Sequence, residues 1–139
     1  MLIDLERQIA YVYQGPALIG VSTISSGRRG HETPTGLFPI LQKAVWHRST
    51  LYSGAPMPYM ERLTWGGVAL HAGGVPGYRQ SHGCIHLPRR FAQELYAVTS
   101  LGAMVEVTHS LRTPTPMLAA TVTFPTTATA FATMTAELL

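Results

Sequence analysis

The 139-residue chain is 46% hydrophobic and 12% charged, which suits one packed domain and argues against general disorder. Its formal net charge is +3 and its ten lysine and arginine residues are scattered, which argues against nucleic acid as a partner. The single cysteine excludes an internal disulfide, and no apolar run is long enough to predict a membrane span.

The beginning of the chain predicts three short strands. Leu2–Leu5, Gln8–Tyr13 and Ala17–Ile24 are apolar or alternating stretches, and turn residues such as Gly15 separate them. Because connections this short cannot cross over between parallel strands, we expect an antiparallel meander.

The middle of the chain predicts more strands around a long irregular segment. Gly36–Leu41 is apolar enough for a strand, and Pro39 places it at a sheet edge because proline has no N–H to donate. Ser49–Leu63 contains glycine and proline and is predicted to be a loop that walls or covers a site. Val68–His71 is predicted to be a short strand that ends on a histidine.

One main α-helix is predicted near residues 89–101. After Pro88, four apolar side chains recur at helical spacing: Phe91, Leu95, Val98 and Leu101. Gly102 is the expected C-cap. A strand over residues 103–108 follows. The fold class is therefore mostly β with one helix, in a domain over residues 1–110. Residues 111–139 form a Thr/Ala/Pro-rich extension, and the sequence leaves open whether it is ordered or flexible.

The candidate chemistry lies in two short motifs, Ser81-His82-Gly83-Cys84 and, upstream, His71-Ala72-Gly73. A thiol beside a histidine can act as a nucleophile with its base, and contact between them is expected to hold a thiolate–imidazolium pair. A glycine lets the backbone approach a ligand closely. The N–H groups of Gly83 and Cys84 are therefore the candidate oxyanion donors.

Geometry favours His71 as the base. His82, Cys84 and His86 have the same parity, so one extended strand would place them on one face, with neighbouring Cβ atoms ~7 Å apart. That separation is too large for an easy hydrogen bond along the strand. His71 comes from a separate strand and is expected to lie directly opposite Cys84.

These two motifs together resemble the active-site signature of the L,D-transpeptidase catalytic domain, the YkuD-type fold. Two further parts of the chain are similar to segments of that family: Thr33–Phe38, and Met57–Met60 together with Trp65–Gly67. The resemblance runs from about the N-terminus to Thr108. The resemblance implies a β-sandwich or mixed-sheet architecture. One residue departs from the pattern, because family members usually carry arginine or asparagine at the position of His86.

The resemblance also implies roles for individual residues. Cys84 would be the nucleophile and His71 the base, oriented by the backbone carbonyl of Ala72. His82 and Ser81 would face the substrate, although Ser81 could equally hold the loop through its hydroxyl. The family segments are further expected to form walls of the site through three side chains: Met57, Tyr59 and Trp65. The alternative for each is that it is an ordinary packed residue.

Two more residues are expected to contact the donor peptide. Arg79 lies in the link between the motifs. The alternative for Arg79 is a solvated position at a loop tip without a substrate contact. His86 is shorter than arginine and titrates near neutrality, so anchoring of a substrate carboxylate there is in doubt.

The function implied is that of a peptidoglycan L,D-transpeptidase, a cysteine acyltransferase and carbapenem target. Cys84 attacks a carbonyl of a stem peptide at an L-centre, a D-residue leaves, and an amine resolves the thioester; resolution by water would make the enzyme an L,D-carboxypeptidase or endopeptidase. No cofactor or metal is expected. The partners are peptidoglycan stem peptides in the cell envelope, periplasmic or extracellular. The first residues show no signal-peptide pattern, so we expect the export signal to lie outside this chain.

Two rival functions come from other classes. His71, His82, Cys84 and His86 are ligand types that suit a zinc-binding module, but the H-x-C-x-H spacing of the last three on one strand is unlike common zinc sites. A catalytically inactive peptidoglycan-binding domain is the other alternative, because His86 breaks the family pattern.

Overall fold

The computed structural model describes residues 1–111, which form nine strands and one helix in two sheets. The strands are β1 (Leu2–Asp4), β2 (Ile9–Gln14), β3 (Ala17–Thr23), β4 (Gly36–Pro39), β5 (Gln42–Ala44), β6 (Met60–Arg62), β7 (Ala69–Ala72), β8 (Ile85–Leu87) and β9 (Met104–Thr108), and the helix is α1 (Arg89–Val98). The predicted fold class is confirmed. Apart from its first residue, the predicted extension over 111–139 lies outside the described residues.

The larger sheet has five strands in the order β3-β2-β1-β9-β4. β1, β2 and β3 pair antiparallel, which confirms the predicted meander. β9 joins the sheet between β1 and β4, parallel to the first and antiparallel to the second. β4 is an edge strand, in agreement with the position of Pro39.

The smaller sheet has four strands in the order β5-β6-β7-β8, and only its β7–β8 pair is parallel. Because side chains alternate along a strand, this sheet has two different faces. One face packs towards α1 and carries buried side chains such as Glu61, Leu70 and Ile85. The opposite face, which we call the reactive face, carries the residues at an odd offset from these along each strand, such as their immediate neighbours.

The strand register arranges the reactive face in two rows. Gln42 pairs with Arg62 and Arg62 with Ala69, and continuing the β7–β8 register back by one residue adds Cys84. We call these four residues the thiol row. The neighbouring histidine row contains the directly paired His71 and His86.

The helix ends at Val98, three residues before the predicted position. The Lys43 ammonium on β5 donates hydrogen bonds to the carbonyls of Tyr96 and Thr99, at 2.6 and 2.7 Å. Thr99 is extended, and both its N–H and its hydroxyl bind the Leu95 carbonyl. These bonds satisfy the last carbonyls of the helix, so the chain can leave it there.

The early helix end also changes which apolar side chains reach the core. Ala92 and Leu95 are buried, whereas Val98 and Leu101 are 62% and 64% exposed. Gly102 is not the C-cap of α1; it lies in a separate turn with a φ of 83°.

Candidate active site

A cavity of about 340 Å³ lies over the reactive face of the smaller sheet. Residues 47–57 contribute one wall, and the connections around β7 and β8 contribute the rest. Its lining brings both motifs together and includes six side chains that can carry charge or act as nucleophiles: His47, Arg62, His71, His82, Cys84 and His86.

Cys84 is half-buried at the end of the thiol row, directly before β8. Its Sγ donates a hydrogen bond to the Gly67 carbonyl at 3.4 Å. Burial raises the pKa of the thiol, and a hydrogen bond with the Ala69 backbone and the charge of Arg62 offset this only in part. The raised pKa favours the neutral thiol at Cys84 over the expected thiolate–imidazolium pair.

Ser81 holds the loop that carries Cys84. Its buried hydroxyl donates to the Cys84 carbonyl and accepts from the Gly83 N–H at 3.1 Å. Gly83 has a φ of 124°, which favours glycine. The Gly83 N–H, one of the two expected oxyanion donors, is therefore bound within its own loop in this structure. The Cys84 N–H remains, and no residue within 1–111 accepts a hydrogen bond from it.

Thr33 fixes the same loop from the opposite side. Its buried hydroxyl accepts from the Gly27 N–H at 2.9 Å and donates to the Gly83 carbonyl at 2.8 Å. Sequence analysis placed Thr33 in a family-like segment but gave it no contact. The structure makes it a support for the backbone turn beside the thiol.

His71 is buried on β7 and held in one tautomer. Its Nδ1 lies 2.8 Å from the Ala72 carbonyl, which can only accept, so Nδ1 carries the proton and Nε2 can accept another. Burial lowers the pKa of His71 to about 4, although the Ala72 bond opposes this effect. The register pairs His71 with His86, whereas Cys84 lies opposite Ala69, two residues before His71 on β7. The expectation that His71 lies directly opposite Cys84 is therefore corrected.

His86 lies beside the base. The two rings meet edge to face with centroids 4.8 Å apart, and the His86 Nδ1–H donates to the Gly74 carbonyl at 3.1 Å. Its ring packs on Gly73, where an added Cβ would lie 2.8 Å from His86 Cγ. Burial lowers the pKa of His86 despite the bond to Gly74, which favours its neutral form. A neutral imidazole does not supply the charge of the usual arginine.

His82 lies at the exposed rim of the cavity. It stacks on Tyr52 with ring centroids 4.4 Å apart, and Nη2 of Arg28 donates to its Nε2 at 3.0 Å. β8 begins only at Ile85, so His82 does not lie on an extended strand with His86 and the parity argument does not hold for it.

The expected wall and donor contacts are only partly in the cavity. Met57 lines it, whereas Tyr59 packs against α1 and the main core. Trp65 is 73% exposed outside the lining. Arg79 reaches away and donates to the Leu5 carbonyl at 2.8 Å.

Arg62 and His47 also line the cavity, although neither was predicted as a site residue from the sequence. The signal for Arg62 was its spacing: it follows Met60 by two residues on a short strand and therefore shares its face. His47 lay in a stretch without a periodic pattern. No group of three or more His, Cys, Asp or Glu side chains within 1–111 is arranged to hold a metal ion.

Residues 1–107 match the family model of the YkuD domain, the L,D-transpeptidase catalytic domain. A comparison with curated protein sequences finds no match. The one helix within residues 1–111 is too short and too polar to cross a membrane.

Solved structures share the fold. The L,D-transpeptidase from Stackebrandtia nassauensis has a TM-score of 0.72 and 26% identity, over 78% of this chain and 54% of that one. A cysteine-to-serine mutant of the Enterococcus faecium L,D-transpeptidase has a TM-score of 0.68 and 28% identity, over 77% of this chain and 48% of that one. L,D-transpeptidase 3 from Mycobacterium tuberculosis, in complex with a faropenem-derived adduct, has a TM-score of 0.69 and 24% identity, over 76% of this chain and 58% of that one. The chain thus spans about half of the length of these proteins.

Proposed function

Because the chain belongs to the family of L,D-transpeptidase catalytic domains, we propose that it is an L,D-transpeptidase with Cys84 as its nucleophile. Members of the family act on peptidoglycan peptides outside the cytoplasm, so the proposed donor is a stem peptide of the cell envelope. The observation that carries the proposal is that Cys84 and His71, from two separate motifs, line one cavity.

The proposed attack begins from a neutral pair. Burial raises the pKa of Cys84 and lowers that of His71 to about 4, so the thiol is protonated and the imidazole is free to act as a base. His71 takes the thiol proton at Nε2 while Sγ bonds to the donor carbonyl carbon. The Ala72 carbonyl then stabilises the imidazolium through Nδ1–H. General-base assistance of this kind contributes about 10²–10⁴-fold.

The donor carbonyl oxygen becomes negative during this attack. The Cys84 N–H is the proposed donor to it, since the Gly83 N–H is bound to Ser81. Ser81 also binds the Cys84 carbonyl and thereby fixes the peptide planes around the thiol. Such preorganised donors stabilise developing charge without a cost of reorganisation during the reaction.

Collapse of the tetrahedral adduct completes acylation. The C–N bond to the D-residue breaks, its nitrogen takes the proton from His71, and a thioester remains on Cys84. The amine of a second stem peptide attacks the thioester, His71 removes its proton, and the thiol is regenerated. With water as the acceptor, the same steps release a free acid, as in an L,D-carboxypeptidase or endopeptidase.

Covalent labelling by a carbapenem tests this function. The faropenem-derived adduct of the M. tuberculosis relative makes a β-lactam a suitable probe. We expect mass spectrometry to show one carbapenem bound to the wild-type protein at Cys84, and none bound to Cys84→Ser. A folded wild-type protein that is not labelled would contradict the proposal and favour an inactive peptidoglycan-binding domain. For a labelled enzyme, products formed from a stem peptide with and without an amine distinguish the acceptors.

A further inference from the structure

The cavity contains one fixed positive charge. Arg62 is the only lysine or arginine among the described residues that line it, and no aspartate or glutamate lines it. The other ionisable lining side chains are Cys84, Tyr52 and four histidines, and burial lowers the pKa values of the two histidines in the histidine row. Arginine, in contrast, stays charged at any working pH.

The Arg62 guanidinium is held by its neighbours but not neutralised. Its Nε donates to Oε1 of Gln42, the cross-strand neighbour, at 2.9 Å. The guanidinium carbon lies 5.8 Å from the ring centroid of Trp65. No carboxylate within 1–111 forms an ion pair with Arg62. Its two Nη groups therefore keep the fork geometry that matches a carboxylate.

The thiol row places this charge across from the nucleophile. Arg62 and Cys84 flank Ala69, so two strand spacings, about 10 Å in all, separate their backbones. Ala69 itself is buried, but the side chains of Arg62 and Cys84 both line the cavity, so a ligand in it can contact both. The charge of Arg62 acts on the sulfur, since it lowers the thiol pKa against the effect of burial.

We propose that Arg62 binds a carboxylate of the acyl donor and so orients the scissile carbonyl over Cys84. The inference rests on the proposed transpeptidase function and names the anionic group that the same cavity selects. It also gives this chain a positive charge for substrate recognition that the neutral His86 does not provide. Two carboxylates have this chemistry: the C-terminal one of the leaving D-residue, and a side-chain one on the L-centred residue.

Donor binding to the Cys84→Ala protein, measured by calorimetry, tests the inference without acylation. The probes are four synthetic stem tetrapeptides, with a C-terminal acid or amide and with or without a side-chain carboxylate. We expect Arg62→Gln to weaken binding of the carboxylate donor by about tenfold to a hundredfold, as for loss of a charged hydrogen bond. The affinity for the donor that lacks the recognised carboxylate should be the same in both proteins, which identifies the carboxylate.

Two matched variants control for charge and folding. Arg90→Gln removes a 92% exposed guanidinium far from the cavity and should leave donor binding unchanged. Arg62→Lys keeps the charge but loses the fork, and its affinity should be intermediate. Thermal unfolding of each variant shows that the fold is retained.

The outcomes separate this inference from the function on which it rests. Equal losses for all four donors, no loss in Arg62→Gln for any donor, an equal loss in Arg90→Gln, or no donor binding at all would overturn the role of Arg62. Carbapenem labelling of the wild-type protein reports independently on Cys84. Labelling without charge-selective donor binding refutes only the inference, whereas charge-selective binding without labelling refutes only the transpeptidase function.

Discussion

The buried His71 should make the stability of the fold depend on pH. Its folded-state pKa is about 4, against an ordinary value of 6.5. Because the folded value is the lower one, the unfolded chain binds the proton more tightly. The stabilisation is fully present above pH 6.5, decreases as the pH falls, and is lost below about pH 4. Replacement by glutamine, whose amide can still donate to the Ala72 carbonyl, should remove this part of the dependence.

The size of the effect follows from the two values. The gap between 6.5 and about 4 corresponds to about 3 kcal/mol when protonation is complete in both states. At pH 5 the unfolded chain is mostly protonated and the folded one mostly is not, so that about 2 kcal/mol is lost relative to pH 8. His86 and His47 face the same ring and titrate as well, so only the difference between wild type and variant reports on His71.

Urea unfolding at pH 8 and pH 5 measures this difference. We expect the loss of stability on acidification to be about 2 kcal/mol larger for wild type than for His71→Gln. His109→Gln, a change at an exposed histidine, is the matched control and should follow wild type. If His71→Gln and wild type lose the same stability between these pH values, His71 is not held neutral by burial.

Three further predictions concern the reaction. Cys84→Ser should retain its fold, seen by circular dichroism, and lose cross-linking; substantial turnover by the folded variant would refute the nucleophile. His71→Ala should slow carbapenem acylation by about 10²–10⁴-fold, and His82→Ala much less, with equal rates counting against His71 as the base. Thr33→Val leaves the Gly83 carbonyl unpaired, so it should destabilise the fold by about 1–3 kcal/mol and slow acylation, whereas Thr33→Ser should do neither.

Local pattern predicted most of the strands, the motifs and the pairing of β1 to β3, but it placed β6 inside a loop and did not give the pairing in the smaller sheet. The strand that ends near His71 follows from its apolar run and the residues that bound it. Its partner does not, because a shift of one residue in register changes which side chains face each other. The structure shows that His71 pairs with His86 and that Cys84 belongs to the next row.

Contacts between distant segments account for the other differences. The helix ends at Val98 because Lys43, from a distant strand, binds its last carbonyls, and no helical periodicity reports on that contact. The Gly83 N–H is occupied because the Ser81 hydroxyl folds back on its own loop. Sequence spacing places both residues beside the thiol, but it does not say which donors remain free.

The burial that raises the pKa of Cys84 also bears on how long the protein survives. Oxidants and alkylating agents react with the thiolate, so a sulfur held as a thiol is attacked slowly. A chain with one cysteine has no second thiol to resolve a sulfenic acid as an internal disulfide, and further oxidation would be irreversible. In an oxidising compartment, a nucleophile that is activated only when His71 takes its proton during attack would therefore be protected between turnovers.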